Sequence, residues 1–396
     1  MSKILTIKSF DTDGVFVKII TDATFESFRK TINGGLSDLT LKLARKIDTF
    51  NTAGDVTVGN KIEIWVYDEE SGVAGILLYS GYIEQQNMVL NGGEEYVNIV
   101  CYGTVAKLNN DVLKEDAYTR LYTKLTDGLT TTSASKSAAE VSDVIRAIVS
   151  RFNTANPSNH IYSDETGTDT ITDSGNQMYY EFNAIIYFNA LEICRGIAPQ
   201  NWYWFLDSEN YLHFKEISAT ADHTFLLSKD VARIQASKAA DSIKNVLLLF
   251  DGNLTYKQYY DTVSIDQYGR RVKQITDSNI QDSATMDNIG ASFLGENKDP
   301  KVRLEIDIID SNESDKGYDI ESIDPGDTCK ITGITPDGNV FSDNMVIKEV
   351  QWTLGKATLT IETEKDFDIN RFILDMKKQV DDLTKNSSGT MPDNYT

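Results

Sequence analysis

The stretch PGDTCKITGITPDGNVFSDNMVIKEVQWTLGKATLTIET, Pro325 to Thr363, decides the reading of the fold, because an earlier stretch has the same layout. That earlier stretch, Val58 to Gly103, reads VGNKIEIWVYDEESGVAGILLYSGYIEQQNMVLNGGEEYVNIVCYG. Each opens on a glycine turn, Gly59-Asn60 or Gly326-Asp327, and passes into a short alternating strand. A polar turn follows, rich in Glu, Ser and Gly in the first stretch and formed by Pro336-Asp337-Gly338 in the second. It leads to a longer strand, YSGYIEQQNMVL against FSDNMVIKEVQWTL, and Gly92-Gly93 or Gly355 then turns the chain into YVNIVC or TLTIET. An alternating strand also precedes each meander. LTLKL puts Leu39, Leu41 and Leu43 on one face, and VRLEIDI does the same with Val302, Leu304, Ile306 and Ile308. Alternation with period two is generic, but an order shared over four strands predicts two copies of one β unit in a single chain.

Between the copies the texture changes. A Thr/Ser-rich loop, TTTSASKS, leads into SAAEVSDVIRAIVSRF, where Ser137 and Glu140 have capping-box spacing. Val141, Val144, Ile145, Ile148, Val149 and Phe152 then share one helical face. A second helix is expected through FNALEICRGI, and NWYWFLDSENYLHF reads as a hairpin turning at Asp207 to Asn210. Trp202 and Trp204 share a face with Leu206 while Tyr203 and Phe205 take the other, which predicts burial on both sides or a subunit or carbohydrate contact. The fold class is therefore mainly β with an α+β insertion between two β-barrel or sandwich units. The expected divisions are 1–106, 107–235, 236–365 and a C-terminal segment 366–396. In that last segment Asp368 can cap a helix whose apolar stripe is Phe372, Ile373, Met376, Val380 and Leu383, too short to stand alone and so expected to bind a partner.

Charge and chemistry exclude several function classes. Sixty acidic against thirty-eight basic side chains give −22, which repels nucleic acid and anionic membrane, and no basic stripe overrides it. The start MSKILTIKSFDTDG has no apolar leader run and no window is long and apolar enough for a span, so folding in the cytoplasm without membrane insertion is expected. Cys101, Cys194 and Cys329 are far apart among apolar neighbours and read as buried thiols. His160, His213 and His223 have no metal-binding spacing, phosphate loops are absent, and pairs such as Asp164 with Glu165 are expected to be solvated turns. No catalytic residue, metal or cofactor is therefore assigned. Tyr268, Arg270 and Arg271 in QYGRRVKQ make too small a group to read nucleic acid and are expected on a surface hairpin.

The order of parts, a β-domain, an insertion with WYWFLDSENYLHF, then NVLLLFDG, SIDQYGRR, PGDTCKI and the closing meander, resembles the trimeric baseplate hub or tail-tip hub proteins of tailed bacteriophages and related contractile injection machines. The resemblance implies two tail-tube-like β-domains per chain and a homotrimer that matches a sixfold tube to a threefold tip. It also implies partners, namely the tail tube or distal tail ring, the tape measure protein and a tip, spike or fibre protein. DNA would pass through the channel during ejection without sequence-specific binding, and an acidic lumen would keep it from sticking. The location implied is the virion tail, assembled in the bacterial host cytoplasm. The rival reading is a β-rich glycan-binding adhesin or receptor-binding module that uses the aromatic hairpin.

Overall fold

The computed structural model describes residues 3–363 apart from 69–74, 92, 116–117, 166, 227–228, 240–241, 252–254, 310–318, 333–344 and 354. The first third supplies β1 (Lys3–Phe10), β2 (Phe16–Ile20), β3 (Ala23–Phe25), β4 (Phe28–Thr31), β5 (Asp38–Leu43), β6 (Lys61–Asp68), β7 (Ile76–Asn91) and β8 (Glu94–Gly103). All except β4 form one antiparallel sheet in the order β2-β1-β6-β7-β8-β5-β3. Leu39, Leu41 and Leu43 are fully buried, as are Ile62, Ile64, Val97 and Ile99. Each contributes about 1.5–3 kcal/mol by burial, so a one-residue slip of β5, which would turn all three leucines to water, is strongly disfavoured. Over this sheet the Arg45 guanidinium bonds both Asp22 and the buried Asp55. Its hydrogen bond holds the Asp22 carboxyl below the ordinary range. A carboxylate buried like Asp55 is tolerated because it is paired.

The last part of the chain repeats this plan. Its strands, after a middle hairpin β9 (Trp202–Leu206) and β10 (Leu212–Glu216), are β11 (His223–Leu226), β12 (Val231–Ala239), β13 (Val246–Phe250), β14 (Tyr256–Tyr260), β15 (Val272–Thr276), β16 (Lys301–Ile309), β17 (Thr328–Thr332), β18 (Met345–Thr353) and β19 (Lys356–Thr363). The second sheet runs β11-β17-β18-β19-β16-β12. Its core order β17-β18-β19-β16 is the order β6-β7-β8-β5 again, and the next strand outward is antiparallel in both, β12 or β3. Even the entry turn is duplicated. Gly59 and Gly326 have φ of 93° and 91°, a region open to glycine. The Gly59 amide donates to Ile83 O at 2.8 Å and the Ile83 amide to Asn60 O at 2.9 Å; Gly326, Ile347 and Asp327 do the same at 2.7 and 2.9 Å. A bulge follows at Ile83/Gln85 in one copy and at Ile347/Glu349 in the other.

Two details of the expected correspondence change. Ile83 faces Cys101 where Ile347 faces Ile361, so YVNIVC matches KATLTI, two residues earlier than TLTIET. Because strand side chains alternate with period two, that shift leaves the buried face unchanged. The polar turn matched to Pro336-Asp337-Gly338 lies outside the described residues. The copies also differ at one edge: β1 is antiparallel to β6, whereas β11 is parallel to β17.

The middle of the chain holds α1 (Val105–Asn110), α2 (Val141–Ala155) and α3 (Tyr187–Ile197), with α4 (Thr262–Tyr268) and α5 (Ser283–Asn297) farther on. The six expected apolar residues of α2 are buried. Its start is not the expected capping box, however. Glu140 is the cap, accepting from the Ser142 amide, while Ser137 Oγ accepts from the Leu125 amide. Glu140 prevails because its other oxygen also takes the amides of Ser174 and Gly175, tying the helix start to a distant loop. Leu247, Leu249, Ile280 and Met286 pack into the same core as α2 and α3, so the stretch between β12 and β16 leans on the middle of the molecule.

Candidate functional site, the joint between the β units

β4 leaves the first unit and hydrogen-bonds to β18 of the second, pairing Phe28 with Trp352, Arg29 with Gln351, Lys30 with Val350 and Thr31 with Glu349. Trp352 thereby belongs to the core of the first unit. It is 4% exposed. Its ring stacks on Phe28 at 5.6 Å and Phe25 at 6.1 Å, and Phe28 leans on Tyr79 at 5.3 Å. Polar contacts fix the approach: Lys30 Nζ donates to Asp324 at 2.9 Å, Gln351 Nε2 to Ser27 Oγ at 2.9 Å, and the Ile32 amide to Lys348 O at 2.9 Å. The turn after β4 reaches the middle hairpin as well, where the Asn33 amide donates to Trp204 O and the Leu206 amide to Gly34 O. Residues 28–35 thus touch all three parts of the chain. An apolar stack framed by strand pairing and an ion pair makes a stiff mechanical coupling, and nothing in it is arranged to cleave or transfer a bond.

The residues singled out in the sequence fall elsewhere. Phe372, Ile373, Met376, Val380 and Leu383 lie outside the described residues. The aromatic hairpin turns where expected, but all five residues of β9 are buried and Trp204 is fully so. Only the edges of Trp202 and Tyr203 reach a cleft, beside Arg195 and Glu296, so the hairpin has no open aromatic platform of the kind on which the adhesin reading leaned. Trp204 Nε1 donates to Glu192 at 2.7 Å. Burial pushes the Glu192 carboxyl up, against the pull of Arg195. A carboxyl with a raised folded pKa contributes stability below its unfolded pKa and loses it as pH rises through the folded one. Glu192→Gln should therefore flatten that part of the pH dependence, its stability difference from wild type shifting in the variant's favour from about pH 4 toward neutral. Urea midpoints across that range check this; parallel curves count against it.

His213 and His223 each face one carboxylate, Asp207 at 2.8 Å and Asp327 at 2.9 Å, and no cluster among the described residues could hold a metal ion. The three thiols are buried, and burial pushes each of them up. Asp164 and Glu165 are exposed on a two-residue ribbon. QYGRRVKQ is not a hairpin: Tyr268 ends α4, Gly269 caps it at φ 76°, and the Arg271 amide donates to Asn245 Oδ1 ahead of β15. The sequence reading missed Phe25, Phe28, Lys30 and Trp352. Their signal was faint, since strand alternation gives a buried face without saying whose core it enters.

No protein-family model matches the chain, and no curated protein matches it in sequence. Its three-dimensional relatives define the class: this is the fold of phage tail proteins. A tail protein from Neisseria meningitidis MC58 superposes with a TM-score of 0.58 at 11% identity, over 91% of this chain and 96% of that one. The 43 kDa tail protein of prophage MuSo2 from Shewanella oneidensis gives 0.56 at 10% identity, over 91% and 96%. A prophage tail protein from Listeria monocytogenes EGD-e gives 0.53 at 11% identity, over 96% and 99%. At such identities the likeness is one of fold, and it runs nearly end to end in both partners of each comparison.

Proposed function

We propose that the chain is a structural component of a phage tail, a homotrimeric tail-tip or baseplate hub that matches a sixfold tube to a threefold tip and forms part of the DNA-ejection channel. The observation that carries this reading is the duplicated sheet with its turn, bulge and strand order repeated in one chain. Three such chains present six similar units, which is what docking on a sixfold tube requires. The working divisions are 1–106, 107–235, 236–365 and 366–396, with the two β units as ring wall and the middle part outside it, except that β11 and the start of β12 go with the second unit, whose sheet they join. A tube or distal ring on one side, a tape measure protein, and a tip, spike or fibre protein on the other are the partners this reading needs. It locates the chain in the virion tail, assembled in the host cytoplasm, and gives it no catalytic role.

The solvent face of the second sheet modifies the expected lumen. Arg233 and Lys356 both pair with Asp307, at 3.1 and 2.8 Å, beside Arg303 and Glu305. Burial opposes ionisation of Asp307, but the bonds from Lys356 and Thr358 prevail and hold its carboxyl low. If this face lines a channel, its charges are mutually paired and the acidic excess lies elsewhere. The decisive measurement is native mass in solution, expected at three times 44.3 kDa. A well-folded monomer at micromolar concentration would count against the trimer.

A further inference from the structure

The joint made by β4 is used once, although the duplication provides for it twice. Counting on from the bulges, Gln86 faces Ile99 where Val350 faces Leu359, Asn87 faces Asn98 where Gln351 faces Thr358, and Met88 faces Val97 where Trp352 faces Ala357. Met88 is therefore the counterpart of Trp352. On β18 the far edge of this run carries β4, and Trp352 is buried in the neighbouring unit. On β7 the same edge beyond Ile83 has no partner strand among the described residues, and Met88 and Leu90 are 52% and 72% exposed.

The matching donor is unpaired as well among the described residues. The run β3–β4 lies outside β5 with Phe25 facing Leu41, and β12 lies outside β16 with Ile234 facing Ile306. The outer edge of β12 pairs with no strand among the described residues. An unpaired edge bearing exposed apolar side chains is a template for another strand. Here an acceptor edge on the first unit and a donor edge on the second remain on one molecule. That is a head-to-tail contact, which closes into a ring or runs on as a filament.

We propose that the β7 edge from Gln86 to Leu90 receives β12 of a second copy of this chain, with Met88 taking the place that Trp352 holds within the chain. This rests on the ring reading above and names the surface that closes the ring. In the full chain, Met88→Glu should weaken self-association roughly 30-fold or more, the loss of a central contact, while leaving thermal unfolding of the monomer unchanged because the side chain is exposed. Met88→Cys with Ser237→Cys tests proximity, since Cys101, Cys194 and Cys329 are buried and a short bismaleimide should link only the added thiols. Covalent bands stopping at three copies are expected. A trimer that survives Met88→Glu and gives no such bands overturns the edge assignment and leaves the ring reading standing. A wild-type chain that stays monomeric and unlinked at the highest concentration overturns both.

Discussion

Trp352→Ala should destabilise the protein by about 3–5 kcal/mol, the range for removing a large buried aromatic, and should split one unfolding transition into two. The split follows from position: Trp352 sits on the second sheet, but its ring is in the first unit's core against Phe25 and Phe28. Without the ring, β4 keeps its backbone pairing and the Lys30 to Asp324 bond, so each unit retains its own sheet while their hold on each other is weakened. Trp352→Phe should cost much less. It keeps an aromatic in the stack and removes an indole N–H that is buried without a partner among the described residues. Guanidinium unfolding followed by circular dichroism and by hydrogen exchange in each unit distinguishes these outcomes. A single transition in Trp352→Ala, shifted by under about 1 kcal/mol, would show that the ring does not couple the units.

Gly326→Ala carries a comparable cost by a different route. At φ 91° any side chain adds backbone strain of about 1–3 kcal/mol. An added Cβ would also lie 2.1 Å from the Tyr203 ring, which is buried and cannot swing away, so overpacking adds about 1–3 kcal/mol more. The entry turn and the middle hairpin meet at this point, and both would have to move. Gly355→Ala is the control, with φ 74° but open space where its Cβ would go, so only the backbone cost of about 1–2 kcal/mol remains. Urea midpoints of the two variants should differ clearly. Equal midpoints would mean that Tyr203 yields without cost.

Much of the fold was legible because it is written in alternation. Leu39, Leu41 and Leu43, or Leu304, Ile306 and Ile308, declare a buried face by spacing alone, and Gly59 and Gly326 declare the turn that starts each meander. The joint was much less legible. Nothing local to Phe28 or Trp352 distinguishes a ring entering its own sheet's core from one entering a neighbour's, since that depends on residues 324 apart as between Ser27 and Gln351. The helix start at Glu140 was misplaced for the same reason: its deciding contacts come from Ser174 and Gly175.

That separation bears on how the protein is made. β4 leaves the ribosome early and must wait for β18, so the first unit is born with an aromatic slot between Phe25, Phe28 and Tyr79 that its own early sequence cannot fill. Contacts this remote form last and expose apolar surface while they are pending. Filling of the slot by Trp352 reports that translation has passed β18. A truncated product arrested before β18 would keep the slot open, with Phe25 and Phe28 lacking the ring that covers them in the finished fold.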